Sequence, residues 1–266
     1  MNLNAKEFSV EIKTGQIPCI SFGSGKKTLV MIPGLRLSGM EGASKVVAWY
    51  YRIFAKEYTV YIFDRNNIIP KNCTIHSLAE DVFYAMKKLC LSNAYVFGAS
   101  QGGMIAQDLT INHPECVKKL VLGVTLSKNN PTVEAVINNW IKLAAENGID
   151  EIAKDYVYKG YSEKYLKKYK LLLPLLLKTQ KKMPVERFIN LAKACLTCET
   201  YDSLEKIKCP VLVLGGAKDK VVTGAASVEI AEKLKCDCFI YEDLSHEAYN
   251  EAKDFNKRIF NFFAEE

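Results

Sequence analysis

Only three histidines occur in the 266 residues, His76, His113 and His246, so chemistry that needs an imidazole has few places to sit. No apolar run approaches the roughly 18 residues of a membrane span, which argues against integral membrane association. Repeats and low-complexity tracts are missing as well, which excludes solenoid and disordered classes. The opening residues Met1-Asn2-Leu3-Asn4-Ala5-Lys6-Glu7 lack a basic-then-apolar signal segment, so a cytoplasmic location is expected. Metal-ligand spacing is thin: Cys195 and Cys198 form one C-x-x-C pair, with no second pair and no nearby histidine to complete a zinc set. Cys236 and Cys238 have the spacing of one strand face. The nine cysteines, an odd number, are therefore expected to be free thiols in a reducing compartment, with no metal site.

Positive charge is present but local. The net charge is +6, and the stretch 159–193 alone carries ten Lys/Arg against two Glu, leaving the remainder slightly acidic. That is not the balance of a nucleic-acid-binding protein. With 49% hydrophobic residues the chain can bury one large core, or a core plus a modest insertion.

The most informative stretch is Gly98-Ala99-Ser100-Gln101-Gly102-Gly103. The apolar Ala94-Tyr95-Val96-Phe97 before it reads as a buried strand, and Met104 to Leu109 after it as a helix. A serine between glycines at a strand-to-helix junction has the pattern of a nucleophile elbow. The turn strains the serine backbone, so its neighbours two before and two after must be small. The amide of Gln101 then falls at a helix N-terminus, where an N–H can receive a developing oxyanion.

Along the chain, Phe8–Lys13 and Ile17–Phe22 read as a hairpin. Buried strands follow at Thr28–Ile32, Thr59–Phe63, Ala94–Phe97 and Leu120–Val124, with helices over about Glu41–Ala55 and Ile75–Leu89 between them. The alternation predicts a mostly parallel sheet covered on both faces. After Val124 only helical segments are expected for about 80 residues: Val133–Ala145, Glu151–Tyr158, Glu163–Leu177 and Val185–Leu196. Strands resume at Pro210–Leu214 and Cys238–Tyr241, and a closing helix ends near Phe263. The expected organisation is a core of residues 1–125 and 206–266 with a helical cap of 126–205, set over the strands' carboxyl ends.

Asp219 lies just past one late strand and His246 just past the next, on the same sheet edge as Ser100. A serine hydroxyl needs an imidazole to take its proton, and a carboxylate fixes that imidazole's tautomer. His113, before Pro114, and His76, starting a helix, read as surface or capping residues. Glu242 and Asp243 are rival acids but sit too close along the strand end to face His246 easily.

These residues, together with Pro33-Gly34, Gly215-Gly216-Ala217-Lys218-Asp219 and Leu244-Ser245-His246, make the chain resemble the α/β-hydrolase superfamily over essentially its whole length. More narrowly, it resembles the capped bacterial esterases, thioesterases and carbon–carbon bond hydrolases. The resemblance implies an α/β fold with an eight-stranded sheet flanked by helices. It also implies an oxyanion hole from the backbone N–H groups of Leu35 and Gln101. Two departures from the family pattern stand out: Pro33-Gly34 replaces the common His-Gly pair, and Asn66-Asn67-Ile68-Ile69-Pro70 after Asp64-Arg65 lacks glycine.

The expected activity is hydrolysis of a carboxylic ester or thioester through an acyl-enzyme, with Ser100, His246 and Asp219 catalytic, a small-molecule substrate and no cofactor. Cleavage of a carbon–carbon bond by the same three residues is one alternative, and a non-catalytic ligand receptor another. An aminopeptidase is weaker still, since nothing marks an acidic pocket for a substrate amine. Arg36 reads either as a site for a substrate carboxylate or phosphate or as a solvent-facing loop residue. The run Leu171–Leu177, flanked by Lys164, Lys167, Lys168, Lys170, Lys178, Lys181 and Lys182, reads as an acyl-pocket lid or lipid contact, or as a packed cap helix with a solvated lysine face.

Overall fold

The computed structural model describes residues 3–169 and 182–265. Eight strands form one sheet: β1 (Lys6–Ile12), β2 (Gly15–Gly23), β3 (Lys27–Ile32), β4 (Tyr58–Phe63), β5 (Ala94–Ala99), β6 (Val117–Gly123), β7 (Val211–Gly216) and β8 (Asp237–Tyr241). Their spatial order is β1-β2-β4-β3-β5-β6-β7-β8. The two pairings of β2 are antiparallel and all later ones parallel. The continuous apolar runs of β3, β5 and β7 follow from this topology, because a central parallel strand is covered on both faces.

Alternate residues of these strands feed two apolar layers. On one face Val30, Ile32 and Val96 pack with α2 (Ile75–Lys88) and α3 (Gln101–Asn112). On the other, Leu29, Met31 and Phe97 pack with α1 (Ser44–Tyr50) and with a late helix, Phe255–Ala264. Between β6 and β7 the described chain is helical: α4 (Pro131–Asn147), α5 (Ile149–Gly160), α6 (Glu163–Tyr169) and α7 (Val185–Cys195). Then come α8 (Gly224–Leu234), the short α9 (Ala248–Glu251) and α10 (Phe255–Ala264). The leucine run 171–177 lies outside the described residues, as do Lys170, Lys178 and Lys181.

One helix differs from the sequence expectation. The periodicity over Glu41–Ala55 predicts a single helix, but α1 covers only Ser44–Tyr50, followed by a 3-10 turn at Arg52–Phe54. Gly42 sits at φ 77°, which is not helical, and Ala43 offers no side-chain acceptor to cap the start. The β-branched Val46 and Val47 and the aromatic run Trp49-Tyr50-Tyr51 lose rotamer freedom in a helix, so local propensity does not extend it.

Candidate active site

Ser100 sits between the last residue of β5 and the first of α3 at φ 52°, ψ −122°, a left-handed backbone that a side chain normally avoids. The turn is tight enough that a Cβ on Gly102 would lie 1.9 Å from the carbonyl oxygen of Ile32. The strain is held by the surroundings. Ser100 N–H donates to the Gly123 carbonyl at 2.8 Å, and the Thr125 hydroxyl donates to the Ser100 carbonyl at 2.8 Å.

The structure brings Ser100, His246 and Asp219 together. His246 Nε2 lies 2.9 Å from Ser100 Oγ, and His246 Nδ1 lies 2.8 Å from Asp219 Oδ2. The other carboxylate oxygen of Asp219 accepts from the amides of Val221 and Val222 at 2.7 and 3.0 Å, so the acid is fixed by its own turn. The imidazole is buried. Burial alone disfavours its charged form, but the bonded Asp219 carboxylate and the nearby Glu247 outweigh this and raise its pKa above the ordinary histidine value. The rival acid Asp243 instead pairs with Lys218 at the surface. His76 and His113 are engaged elsewhere, by Asp108 and by Glu80.

The turn Pro33-Gly34-Leu35 lies against the serine, since a Cβ on Gly34 would come within 3.1 Å of Ser100 Cβ. Gln101 opens α3, so its amide has no acceptor within the helix. Arg36 follows in the same loop, and its guanidinium donates to the carbonyls of Ser38 and Gly39 at 3.1 and 3.2 Å. Two cavities flank this loop. The larger, about 790 Å³, lies on its outer side beside β1 and β2 and touches none of the three central residues. The smaller, about 420 Å³, is not lined by those three either, but it runs past Gly34 and Leu35, past Ala99 and Glu247, which adjoin Ser100 and His246 in the chain, and under Tyr156 of α5.

Sequence reasoning passed over two buried groups here. Arg65 donates through Nε to Gln101 Oε1 (3.1 Å) and through Nη2 to the Pro33 carbonyl (2.6 Å), so one guanidinium touches both the elbow and the facing turn. Its Nη1 has no partner among the described residues, and burial lowers its pKa to about 10. Glu247, directly after the histidine, is buried and accepts from the hydroxyls of Tyr156 and Tyr249 and from Asn250 Nδ2. The Asp64-Arg65 pair was visible as a loop opening, but nothing local shows that an arginine there turns inward.

All nine cysteines are unpaired. Burial pushes the thiols of Cys195 and Cys198 up to about 12, and Cys195 accepts from Gln101 Nε2 at 3.2 Å. No group of side chains suited to a metal ion occurs among the described residues.

The sheet order, the strained serine and the residues gathered around it define an α/β-hydrolase. The chain belongs to the family described as serine aminopeptidase, S33, whose model matches residues 74–253. A Rhizobium rhizogenes protein provisionally named carbamate hydrolase RutD is 24% identical over 250 residues, covering 89% of this chain and 92% of that one. The 3-oxoadipate enol-lactonase 1 of Acinetobacter baylyi is 22% identical over 245 residues, covering 86% and 91%. Among solved structures, the enol-lactonase from Burkholderia xenovorans LB400 superposes with a TM-score of 0.84 at 18% identity, covering 97% of this chain and all of that one. The family is one of hydrolases, and the structural likeness establishes the fold.

Proposed function

We propose that the protein hydrolyses a carboxylic ester or thioester through an acyl-enzyme formed on Ser100. The observation that carries this reading is the continuous hydrogen-bonded line from Ser100 Oγ through the His246 ring to Asp219. Asp219 accepts from Nδ1–H and so leaves Nε2 as the acceptor for the serine proton. As the hydroxyl oxygen bonds to the substrate carbonyl carbon, its proton passes to Nε2. The carbonyl electrons move onto oxygen, where the amides of Leu35 and Gln101 receive them. His246 then returns the proton to the leaving alcohol or thiol. Water, deprotonated by the same ring, releases the acid and restores Ser100.

Helices of 126–205 act in this reading as a cap, with Tyr156 and Val157 of α5 forming one wall of the 420 Å³ cavity. A lactone is a cyclic ester, so the names of the enol-lactonase relatives fit the proposed bond class. The family description names an aminopeptidase. Glu247 is the one acid lining this cavity among the described residues, and Tyr156, Tyr249 and Asn250 already occupy its carboxylate, which leaves a substrate ammonium without a free anion. The test is a panel of aryl esters, thioesters, lactones and a vinylogous diketone on wild type and Ser100→Ala, with fluorophosphonate labelling. Ester or thioester turnover with one adduct on Ser100, both lost in the variant, is the expected result. Preferential diketone cleavage would assign the carbon–carbon reaction instead, and a folded protein that takes no label would reject the nucleophile.

A further inference from the structure

The outer side of α1 and the 3-10 turn after it carries an unusual surface. Val46 is 72% exposed, Trp49 61% and Ile53 39%, although each belongs among the residue types that cores take up. Their spacing of three and four puts them in one row along the helical path. The opposite side of the same segment holds the buried Ala48, Phe54 and Ala55, so the apolar row is a second face and not a slipped core face. Lys45, Arg52 and Lys56 are exposed and interleave with the row. The Arg52 guanidinium lies over the Trp49 ring, 4.1 Å from its centre, and donates to the Trp49 carbonyl at 2.7 Å. Acids border the row only at its ends: Glu41 and Glu7, whose carboxylate accepts from the amides of Gly42 and Ser44 at 2.9 and 2.8 Å, before it, and Glu57 beyond it. Val46, Val47 and Tyr50 of this helix also line the 420 Å³ cavity, so the row borders the cavity's rim.

We propose that this row docks the protein on an anionic lipid bilayer, with Trp49 at the level of the headgroups and Lys45, Arg52 and Lys56 facing lipid phosphates. A Trp ring flanked by aliphatic side chains and cations suits the bilayer interface, where an amphipathic ring finds both an apolar and a wet side. Cations beside it meet the negative surface potential of anionic lipid. A second copy of the chain is the rival occupant, and it is told apart by an emission change that depends on protein concentration and needs no lipid. Docking there would hold the cavity rim at the surface from which an amphiphilic substrate is drawn. The binding claim stands apart from the acyl-enzyme reading and is tested without substrate.

The chain has two tryptophans, and the other, Trp140, is 3% exposed with its ring N–H bonded to Asp155 at 2.7 Å. Emission changes on docking therefore report Trp49. Full-length protein is titrated with vesicles of phosphatidylcholine alone and with about 30 mol% phosphatidylglycerol, following emission and co-sedimentation. The expected result is a blue shift and co-sedimentation with the anionic vesicles, both reversed by high salt. Affinity should fall about tenfold or more in Lys45→Glu/Lys56→Glu and in Val46→Ser/Ile53→Ser, which keep the reporter ring. All four side chains are exposed, and near-ultraviolet circular dichroism checks that the variants fold. Absence of binding at low salt overturns the proposal. So does vesicle binding without a Trp49 shift, which would place the contact on another part of the surface. A shift that follows protein concentration without lipid would assign the row to self-association and also overturns it.

Discussion

At the scale of single residues, the site is governed by where charge sits around His246. Burial disfavours the imidazolium, and Asp219 and Glu247 together more than offset this, so the pKa lies above the usual histidine value. A general base works only when neutral, so kcat/KM should rise with pH through that raised value and flatten above it. Glu247→Gln removes a negative charge while preserving the shape that Tyr156, Tyr249 and Asn250 surround. The acidic limb of the pH–rate profile should therefore move to lower pH, and an unmoved limb would show that Glu247 only supports the loop. Arg65 acts one bond further away. Arg65→Met leaves Gln101 Oε1 and the Pro33 carbonyl without their shared donor, so both sides of the proposed oxyanion site lose a support. Turnover of a soluble aryl ester should drop about 10- to 100-fold in kcat with little change in KM, and Arg65→Lys should recover part of it. Neither Arg65 nor Glu247 shows its surroundings in the sequence: Arg65 meets residues 32 and 36 positions away, and Glu247, besides its near neighbours Tyr249 and Asn250, meets Tyr156, 91 positions away. The positions of Ser100, Asp219 and His246 were legible for the opposite reason. Ser100 and Asp219 each follow a strand buried throughout, His246 follows the short apolar and aromatic run of the last strand, and the chain has only three histidines.

At the scale of elements, the junction of β5 and α3 is where strand, turn and helix depend on one another. The missing side chain of Gly102 lets the Ile32 carbonyl at the end of β3 approach the first turn of α3. Gly102→Ala would place a methyl 1.9 Å from that oxygen, a contact that only backbone movement can relieve. The movement would have to pass into β3, which pairs with both β4 and β5 at the sheet's centre. The expected cost is about 3 kcal/mol or more, read as a lower urea midpoint, together with loss of fluorophosphonate labelling at Ser100. The central strands β3, β5 and β7 were readable because burial on both faces leaves uninterrupted apolar runs. The ends of α1 were not. Its periodicity continues through Ala55, but Gly42's positive φ and the aromatic run at 49–51 leave only the middle seven residues helical.

At the scale of the whole molecule, the helical insert is bonded to the core on both sides of Ser100. On one side the Ser245 hydroxyl donates to the Lys159 carbonyl at 2.6 Å, Glu247 N–H to the Gly160 carbonyl at 2.7 Å, and Ser162 N–H to Glu251 at 2.7 Å. These tie the end of α5 to the loop carrying His246. On the other side Arg187 of α7 donates to the carbonyls of Arg65, Asn66 and Asn67, and Asn190 donates to that of Ile69. Gln101 completes this second attachment by donating to the Leu191 carbonyl at 2.7 Å. A wall held at two places can open at one without global unfolding, since such local transitions cost less than breaking the sheet. Arg187→Ala removes three charge-assisted bonds that fasten α7 to the loop after β4. It should cost about 2 kcal/mol where the contact is counted locally. Amide hydrogen exchange should then speed up in residues 65–70 and 185–190, while β3 and β5 keep their wild-type protection. Equal acceleration in those central strands would mean that insert and sheet unfold as one unit, and that the cavity wall formed by α5 cannot move apart from the residues it covers.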